Sequence, residues 1–300
     1  MNNYLTVLVG HPRGGEKTWT SLYKYVLNPL NSDLAILTGS KWLNNQSFLS
    51  IAKHQWIIEE PEDWFTYYEE NFQSNNWKTY FEKDKTTGLY NSGSVHFALK
   101  DILLKKHLHE LEAYRQIIIT RFDQFYISSH KKFNESSIWI PEGENYFGIC
   151  DRHAVVPSLY IKEYLDIAGY VNSKNTENYV SDFINCEVAY MHHLENSNLI
   201  DKVKRFKRFQ FTTTKKDDFS RWRTPEYKIY FYNDIHLKYP DEFIESVSGL
   251  NLIDTIKLLL SKRFSLYLTY LYMVSRRKLG SLKKKLLNLN LSSRFNINSW

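Results

Sequence analysis

One carboxylate stands directly behind a short apolar segment of the chain. Residues 116–120 (QIIIT) have the pattern of a buried β-strand, and Arg121, Phe122 and Asp123 follow at once. A carboxylate at a strand end suits Mg²⁺ or Mn²⁺, which would neutralise a leaving diphosphate. Arg121 could bind a phosphate or hold Asp123 in place. Taken alone, the pattern favours an ordinary Arg–Asp ion pair at a strand end, and the alternative is a diphosphate-binding pair with Asp123 as the metal ligand.

A second group of reactive side chains follows a loop rich in glycine and polar residues. Residues 137–140 read as a strand, and the chain then reaches Asp151, Arg152 and His153 in succession. Asp and His are common general bases for a hydroxyl nucleophile. We expect Asp151 or His153, with Asp151 preferred, to serve as that base or to position the nucleophile, and Arg152 to contact the anionic donor. A structural turn with a surface ion pair is the alternative.

The first loop of the chain combines glycines with two basic residues. Gly10 ends an apolar run, Arg13 and Lys17 follow, and a helical pattern begins at Thr18. Backbone N–H groups at a helix N-terminus, together with these cations, can hold a phosphate. The spacing is not that of a P-loop, and it partly matches the phosphosulfate-binding loop of sulfotransferases with Lys17 displaced. A tight turn into a helix is the alternative.

Three further residues are weaker candidates. Glu187 lies in a mostly apolar helical pattern and could reach a cleft as a catalytic carboxylate. Arg221 and Arg223 lie late enough to hold a donor diphosphate, although a solvated basic face explains most of the cations around them. The adjacent pair His192 and His193 points in different directions on a helix and makes a poor metal site.

The elements that must position these residues begin as a βαβ unit. Tyr4–Val9 and residues 33–38 read as strands, with a helix predicted over 18–27 between them. Further helices are predicted over 62–81, 94–114, 158–168 and 178–195, late strands over 206–213 and 227–232, and a helical end from Leu250. The order predicts an α/β fold with a mixed sheet and a helical C-terminal appendage.

Charge divides the chain into two unequal parts. Residues 1–254 carry 29 basic and 33 acidic residues, whereas residues 255–300 carry ten basic residues and no acidic one. Ile256, Leu260, Phe264, Tyr267, Leu271 and Val274 follow helical spacing beside these cations. This pattern predicts a helix on an anionic membrane surface, and a core helix with a solvated basic end is the alternative. No apolar run reaches the roughly 20 residues that a membrane span needs.

Taken in order, the motifs resemble a known family. VLVGHPRGGEKTWTSLYKYVLNPLNSDLAIL, IIITRFDQFY and IWIPEGENYFGICDRHAVV are similar to segments of bacterial capsule and lipopolysaccharide glycosyltransferases of the GT-A type, over roughly residues 4–160. The resemblance implies a GT-A-like, Rossmann-like sheet, a nucleotide-sugar donor and a lipid-linked or growing surface polysaccharide as acceptor. It places donor or metal contact at Asp123 and donor or acceptor chemistry around Asp151. Most GT-A enzymes have Asp-x-Asp where this chain has Arg121-Phe122-Asp123, so metal dependence is open.

These inferences define one expected organisation and exclude others. We expect residues 1–245 to form the catalytic domain and residues 246–300 a basic tail that binds the inner face of the plasma membrane from the cytoplasm. The two cysteines, Cys150 and Cys186, suit a reducing compartment, and no signal peptide is apparent. A sulfotransferase-like enzyme is the alternative that the Gly10 loop leaves open. Nucleic-acid binding is disfavoured because the main part of the chain is net acidic and lacks such a motif.

Overall fold

The computed structural model describes residues 3–81, 92–143, 145–150, 152–179, 186–215, 235–261 and 263–295. Over this part of the chain the protein is an α/β fold with a mixed seven-stranded sheet flanked by helices, as the sequence predicts. The strand predicted over 227–232 lies outside the described residues.

The strands of the main sheet are β1 (Tyr4–Val9), β2 (Asp33–Gly39), β3 (His54–Ile58), β4 (Gln116–Arg121), β6 (Ile138–Pro141), β7 (His153–Pro157) and β8 (Val203–Phe206). Within the described residues they are arranged in the order β3-β2-β1-β4-β7-β6-β8. The sheet is parallel except at β7, which runs antiparallel to both β4 and β6. Its central strands are near-continuous apolar runs because helices cover both faces.

Alternate residues of β1 enter two different cores. Leu5, Val7 and Val9 pack in a large cluster on one face, whereas Leu8 packs in a second cluster on the other face. Trp19 belongs to the second cluster. The period-two alternation of a strand therefore fixes which helices each side chain can meet.

The helices that surround the sheets vary from a single turn to a long C-terminal helix. They are α1 (Gly15–Leu22), α2 (Asn28–Leu30), α3 (Ser47–Ile51), α4 (Trp64–Asn71), α5 (Trp77–Tyr80), α6 (Ser92–Glu112), α7 (Ser158–Leu165), α8 (Ile167–Asn172), α9 (Cys186–Asn196), α10 (Pro240–Ser248), α11 (Leu252–Leu260) and α12 (Phe264–Phe295). A π-helical turn, Tyr23–Leu27, joins α1 to α2. The segment predicted as one helix over 62–81 is divided between α4 and α5.

A second, antiparallel sheet supports the C-terminal helices. It contains β5 (Gln124–Tyr126), β9 (Gln210–Lys215) and β10 (Ile235–Leu237) in the order β10-β9-β5. A third core cluster joins this sheet to α10 through Phe243, to α11 through Leu258 and to α12 through Leu266 and Met273. The expected domain boundary at residue 246 falls inside α10, where Ser246 is buried. The start of the expected tail is therefore packed on the body of the protein.

The edge of the main sheet that matters for ligand binding is set by β1 and β4. The chain goes from β1 to β2 on one side, and β4 pairs with the other side of β1. Open α/β sheets bind ligands at the carboxyl ends of their strands where the order reverses in this way. Val9 is the register partner of Arg121, and Thr120 is that of His153. This pairing brings the motifs around Gly10, Arg121 and Arg152 to one edge.

Candidate functional site

The loop after β1 presents Arg13 through a chain of hydrogen bonds. Its backbone turns through Gly10, Gly14 and Gly15 at φ values of 102°, 81° and 72°, which favour glycine. Arg13 Nη2 lies 3.3 Å from His11 Nδ1, and His11 Nε2 lies 3.0 Å from Glu60 Oε1. Because arginine is always a donor, His11 accepts at Nδ1 and donates from Nε2 to the carboxylate. Glu60 thus orients His11, and His11 orients Arg13.

Further hydrogen bonds and an ion pair hold Glu60, the last residue of this hydrogen-bonded chain, in place. It also accepts hydrogen bonds from Trp42, and Lys41 Nζ lies 3.3 Å from Oε2. Burial opposes ionisation, but the bonds from His11, Trp42 and Lys41 hold the pKa of Glu60 below its ordinary value. Sequence reasoning missed Glu60 because it follows β3, a strand that was not predicted.

Arg121 and Asp123 form the second part of the site at the end of β4. Arg121 donates from Nε to Oδ1 at 3.0 Å and from Nη2 to Oδ2 at 2.5 Å. Asp123 is buried, and its backbone oxygen accepts from the Thr213 N–H at 2.8 Å. Burial alone would raise the pKa of the carboxyl, but the charges of Arg121 and Lys238 hold it below its ordinary value.

A small cleft lies between these two groups, and we call it the cationic cleft. It has a volume of about 110 Å³ and is lined by Val9, His11, Arg13, Val95, His96, Arg121 and Asp123. The structure therefore brings the expected donor-binding residues Arg13, Arg121 and Asp123 together, with Gly10 supplying the turn. Lys17 lies on the exposed face of α1 and does not line this cleft.

Lys238 is a member of the site that sequence reasoning missed. It follows β10, the last strand of the second sheet, and is 8% exposed. Burial, then the neighbouring charge of Arg121, lowers its pKa to about 7 although Asp123 opposes this shift. No motif marks this lysine, because only the packing of the second sheet against β4 brings it near Asp123.

Arg152 and Glu187 meet in a buried ion-pair network, and the charge of Arg152 acts on Arg121 and Lys238. Arg152 Nη1 lies 3.1 Å from Glu187 Oε1, and its Nη2 lies 3.0 Å from Glu242 Oε1. Arg208 pairs with the same Glu242 oxygen at 3.2 Å. Glu187, expected as a catalytic carboxylate, and Arg152, expected to bind the donor, are thus engaged with each other. Their geometry supports a structural role.

His153 is fully buried, which argues against its expected role as a general base. Its Nδ1 lies 3.1 Å from Thr120 Oγ1 and 3.2 Å from the Tyr126 hydroxyl, and its Nε2 lies 3.4 Å from His130 Nε2. His130 donates from Nδ1 to the Lys131 carbonyl at 2.7 Å, so its Nε2 accepts from His153. Burial lowers the pKa of both imidazoles, that of His130 to about 4. The pair is a neutral element of the core, and we leave His153 out of the proposed catalytic groups.

Three expected site residues, Asp151, Arg221 and Arg223, lie outside the described residues.

The surroundings of Asp123 do not fit a divalent cation as they stand. Arg121 bonds to both carboxylate oxygens, and Arg13 and Lys238 add positive charge nearby. Across the part of the chain that the structure describes, no group of three His, Cys, Asp or Glu residues could hold a metal. We therefore assign no step to a metal, and Arg121 takes the position that a cation would need.

No family model matches the chain, and no curated protein matches it significantly.

Proposed function

We propose that this chain is a glycosyltransferase that transfers a sugar from a nucleotide-sugar donor to a lipid-linked or growing polysaccharide. The observation that carries the proposal is the convergence of Arg13, Arg121 and Lys238 around one buried carboxylate at the β1–β4 switch point. Such a set of cations suits the diphosphate of the donor. The GT-A-type resemblance over residues 4–160 supports the same class of reaction.

In the proposed reaction the bond between sugar C1 and the diphosphate oxygen breaks as C1 bonds to the acceptor oxygen. Negative charge builds up on the departing diphosphate, and fixed cations in a site shielded from water stabilise that charge. Arg13 and Arg121 present planar guanidinium groups for bidentate contact, and Asp123 keeps Arg121 in position. The acceptor proton goes to a general base, for which Asp151 stays the candidate.

The membrane surface is the second part of the proposal. Among the described residues, large apolar side chains are exposed along α11 and α12. They are Leu252, Ile253, Ile256, Leu260, Phe264, Leu268, Leu271, Tyr272, Leu279 and Leu282. An apolar surface of this extent, with Lys257, Arg276 and Lys278 in the same segment, suits an interface with anionic lipid.

The structure differs from the expected apolar stripe in two respects. Tyr267, an expected member of the stripe, is half-buried against the third core cluster. The helix breaks between Leu260 and Phe264, so the stripe runs over two helices instead of one. The opposite side, with Leu258, Leu266 and Met273, packs on the second sheet. The segment therefore combines a packed side with an exposed apolar side. No helix among the described residues is long and apolar enough to cross a membrane.

A thermal-shift panel tests the enzymatic proposal. UDP, GDP, CDP and adenosine 3′,5′-bisphosphate are added separately to the full chain, each with Mn²⁺ and with a chelator. Binding to the folded state raises the melting temperature by mass action, so at least one nucleoside diphosphate should stabilise the protein. The double variant Arg13→Met/Arg121→Met should lose the effect. Stabilisation by the bisphosphate alone would favour the sulfotransferase-like alternative and contradict the proposal.

A further inference from the structure

Two exposed aromatic rings stand on a strained loop beside the cationic cleft. Tyr146 and Phe147 have φ values of 47° and 70°, in the left-handed region that residues other than glycine rarely occupy. The Phe147 side chain is 86% exposed and that of Tyr146 is 39% exposed. A strained backbone conformation persists only where the surrounding structure stabilises it. Residues with such strain are concentrated at functional sites.

The surroundings fix this loop firmly. Arg205 donates to Asn145 Oδ1 at 2.6 Å, and the Gly148 N–H donates to the Asn145 carbonyl at 2.8 Å. The Ile149 N–H donates to the Glu187 carbonyl at 2.9 Å, and any side chain at Gly148 would overlap the Glu187 backbone. The rings of Tyr146 and Phe147 therefore lie on a turn that hydrogen bonds hold in place.

The loop is joined to the cationic cleft through Arg152. The Arg152 guanidinium lies 5.4 Å from the centre of the Tyr146 ring and 4.9 Å from that of Tyr239. Tyr239 directly follows Lys238, which is electrostatically coupled to Arg121 and Asp123. A group that rests on the loop would thus lie beside the proposed diphosphate site.

We propose that Tyr146 and Phe147 form a saccharide subsite that holds a pyranose ring of the acceptor. This inference rests on the proposed glycosyl transfer. A flat apolar ring fits the C–H face of a pyranose, and the amphipathic tyrosine can also bond to its hydroxyl groups. The polar groups of Asn145 and Arg205 at the base of the loop suit a hydroxyl-rich ligand more than a purely apolar one.

Saturation-transfer NMR tests the subsite with the methyl α- and β-pyranosides of glucose, galactose, mannose and N-acetylglucosamine. Irradiation of the wild-type chain should transfer saturation to the ring C–H protons of at least one glycoside. Tyr146→Ala and Phe147→Leu should lose most of this signal, whereas Phe147→Trp should keep it. Leu159→Ala removes an exposed apolar side chain from α7 and serves as the control that changes nothing.

The melting temperature distinguishes a ligand-binding role of Phe147 from a structural one. Phe147→Gly relieves the left-handed strain, so it should lose the saccharide signal without lowering the melting temperature. A wild-type chain that gives no signal with any glycoside, or an unchanged signal in Tyr146→Ala and Phe147→Leu, would overturn the subsite. A lower melting temperature in Phe147→Gly would also overturn it. So would Tyr146→Ala and Phe147→Leu variants that no longer bind phosphatidylglycerol vesicles but keep their saccharide signals.

The nucleoside-diphosphate panel keeps the two proposals distinguishable. If UDP or another diphosphate still stabilises the chain while the saccharide test fails, only the subsite is wrong. If saccharides bind through the loop and no diphosphate stabilises the chain, glycosyl transfer is wrong and the loop is a carbohydrate-binding site.

Discussion

Arg121 and Asp123 form a bidentate ion pair two residues apart, with Nε–Oδ1 and Nη2–Oδ2 distances of 3.0 and 2.5 Å. The pair lies where β4 ends, and it fixes the plane of the Arg121 guanidinium, which lines the cationic cleft. In the proposed glycosyl transfer, Asp123 acts on the diphosphate through Arg121. This relationship gives a direct test of the site.

Asp123→Asn should greatly reduce transfer while leaving the chain folded. The amide oxygen can still accept one bond from Arg121, but the second oxygen and the charge are lost, so Arg121 is no longer held in one plane. Turnover and the unfolding free energy are measured together. Asp33→Asn is the matched control, because it breaks the 2.6 Å pair with Lys53 at the opposite edge of the sheet. Near-normal turnover in Asp123→Asn would contradict the assignment.

Affinity for a nucleoside diphosphate should fall as the pH rises above about 7. The pKa of Lys238 in the free protein is about 7, and the anion binds better to its protonated form. Above that pH the apparent dissociation constant should rise by up to about tenfold per pH unit, until the pKa of the bound form is reached. Titration calorimetry with UDP should show a flatter profile for Lys238→Met. The same steep profile in that variant would contradict this role.

Arg152→Met should destabilise the fold strongly. The substitution removes one of the two arginines, Arg152 and Arg208, that pair with the buried Glu242, and breaking a buried pair costs about 3–5 kcal/mol. Arg277→Met removes an exposed pair with Asp241 and should cost about 0–1 kcal/mol. Urea unfolding of the two variants gives the comparison. Equal losses of unfolding free energy in the two variants would show that the buried network of Arg152, Glu242 and Arg208 is no more stabilising than an exposed ion pair.

Stability should fall in acid because His130 and His153 are buried as neutral rings. Their folded-state pKa values lie below the ordinary value, so the unfolded chain binds more protons as the pH falls from about 6.5 towards 4. Each ring contributes up to about 1.4 kcal/mol per pH unit over its window. The double variant His130→Gln/His153→Gln should show a smaller slope when urea unfolding is repeated across this range. An unchanged slope would refute the assignment.

Removal of residues from Ser275 onward should leave a folded chain that binds anionic vesicles less well. Met273 is the last buried apolar residue of the described part of α12, so the truncation keeps the packed side and removes cations and exposed leucines. Each basic residue near an anionic leaflet contributes about 1 kcal/mol. Sedimentation with phosphatidylglycerol vesicles at low salt measures the loss. Unchanged vesicle binding would contradict the membrane part of the proposal.

Local patterns were sufficient for the start of the fold and for part of the site. The apolar runs in Tyr4–Val9 and residues 116–120 predicted β1 and β4, because strands buried on both faces leave a continuous signal. Gly10, Arg13, Arg121 and Asp123 follow those two strands directly. Their presence at one sheet edge follows from strand order and register.

The remaining features depend on long-range packing. Lys238 comes within electrostatic range of Arg121 and Asp123 only through the pairing of β10 with β9 and of β9 with β5. His153 reads as a base in sequence, but the antiparallel β7 buries it between Thr120 and His130. The local sequence therefore shows which types of side chain follow each strand. Their burial, which decides whether a charge binds a ligand or supports the core, was decided by the tertiary structure, because desolvation depends on every neighbouring element.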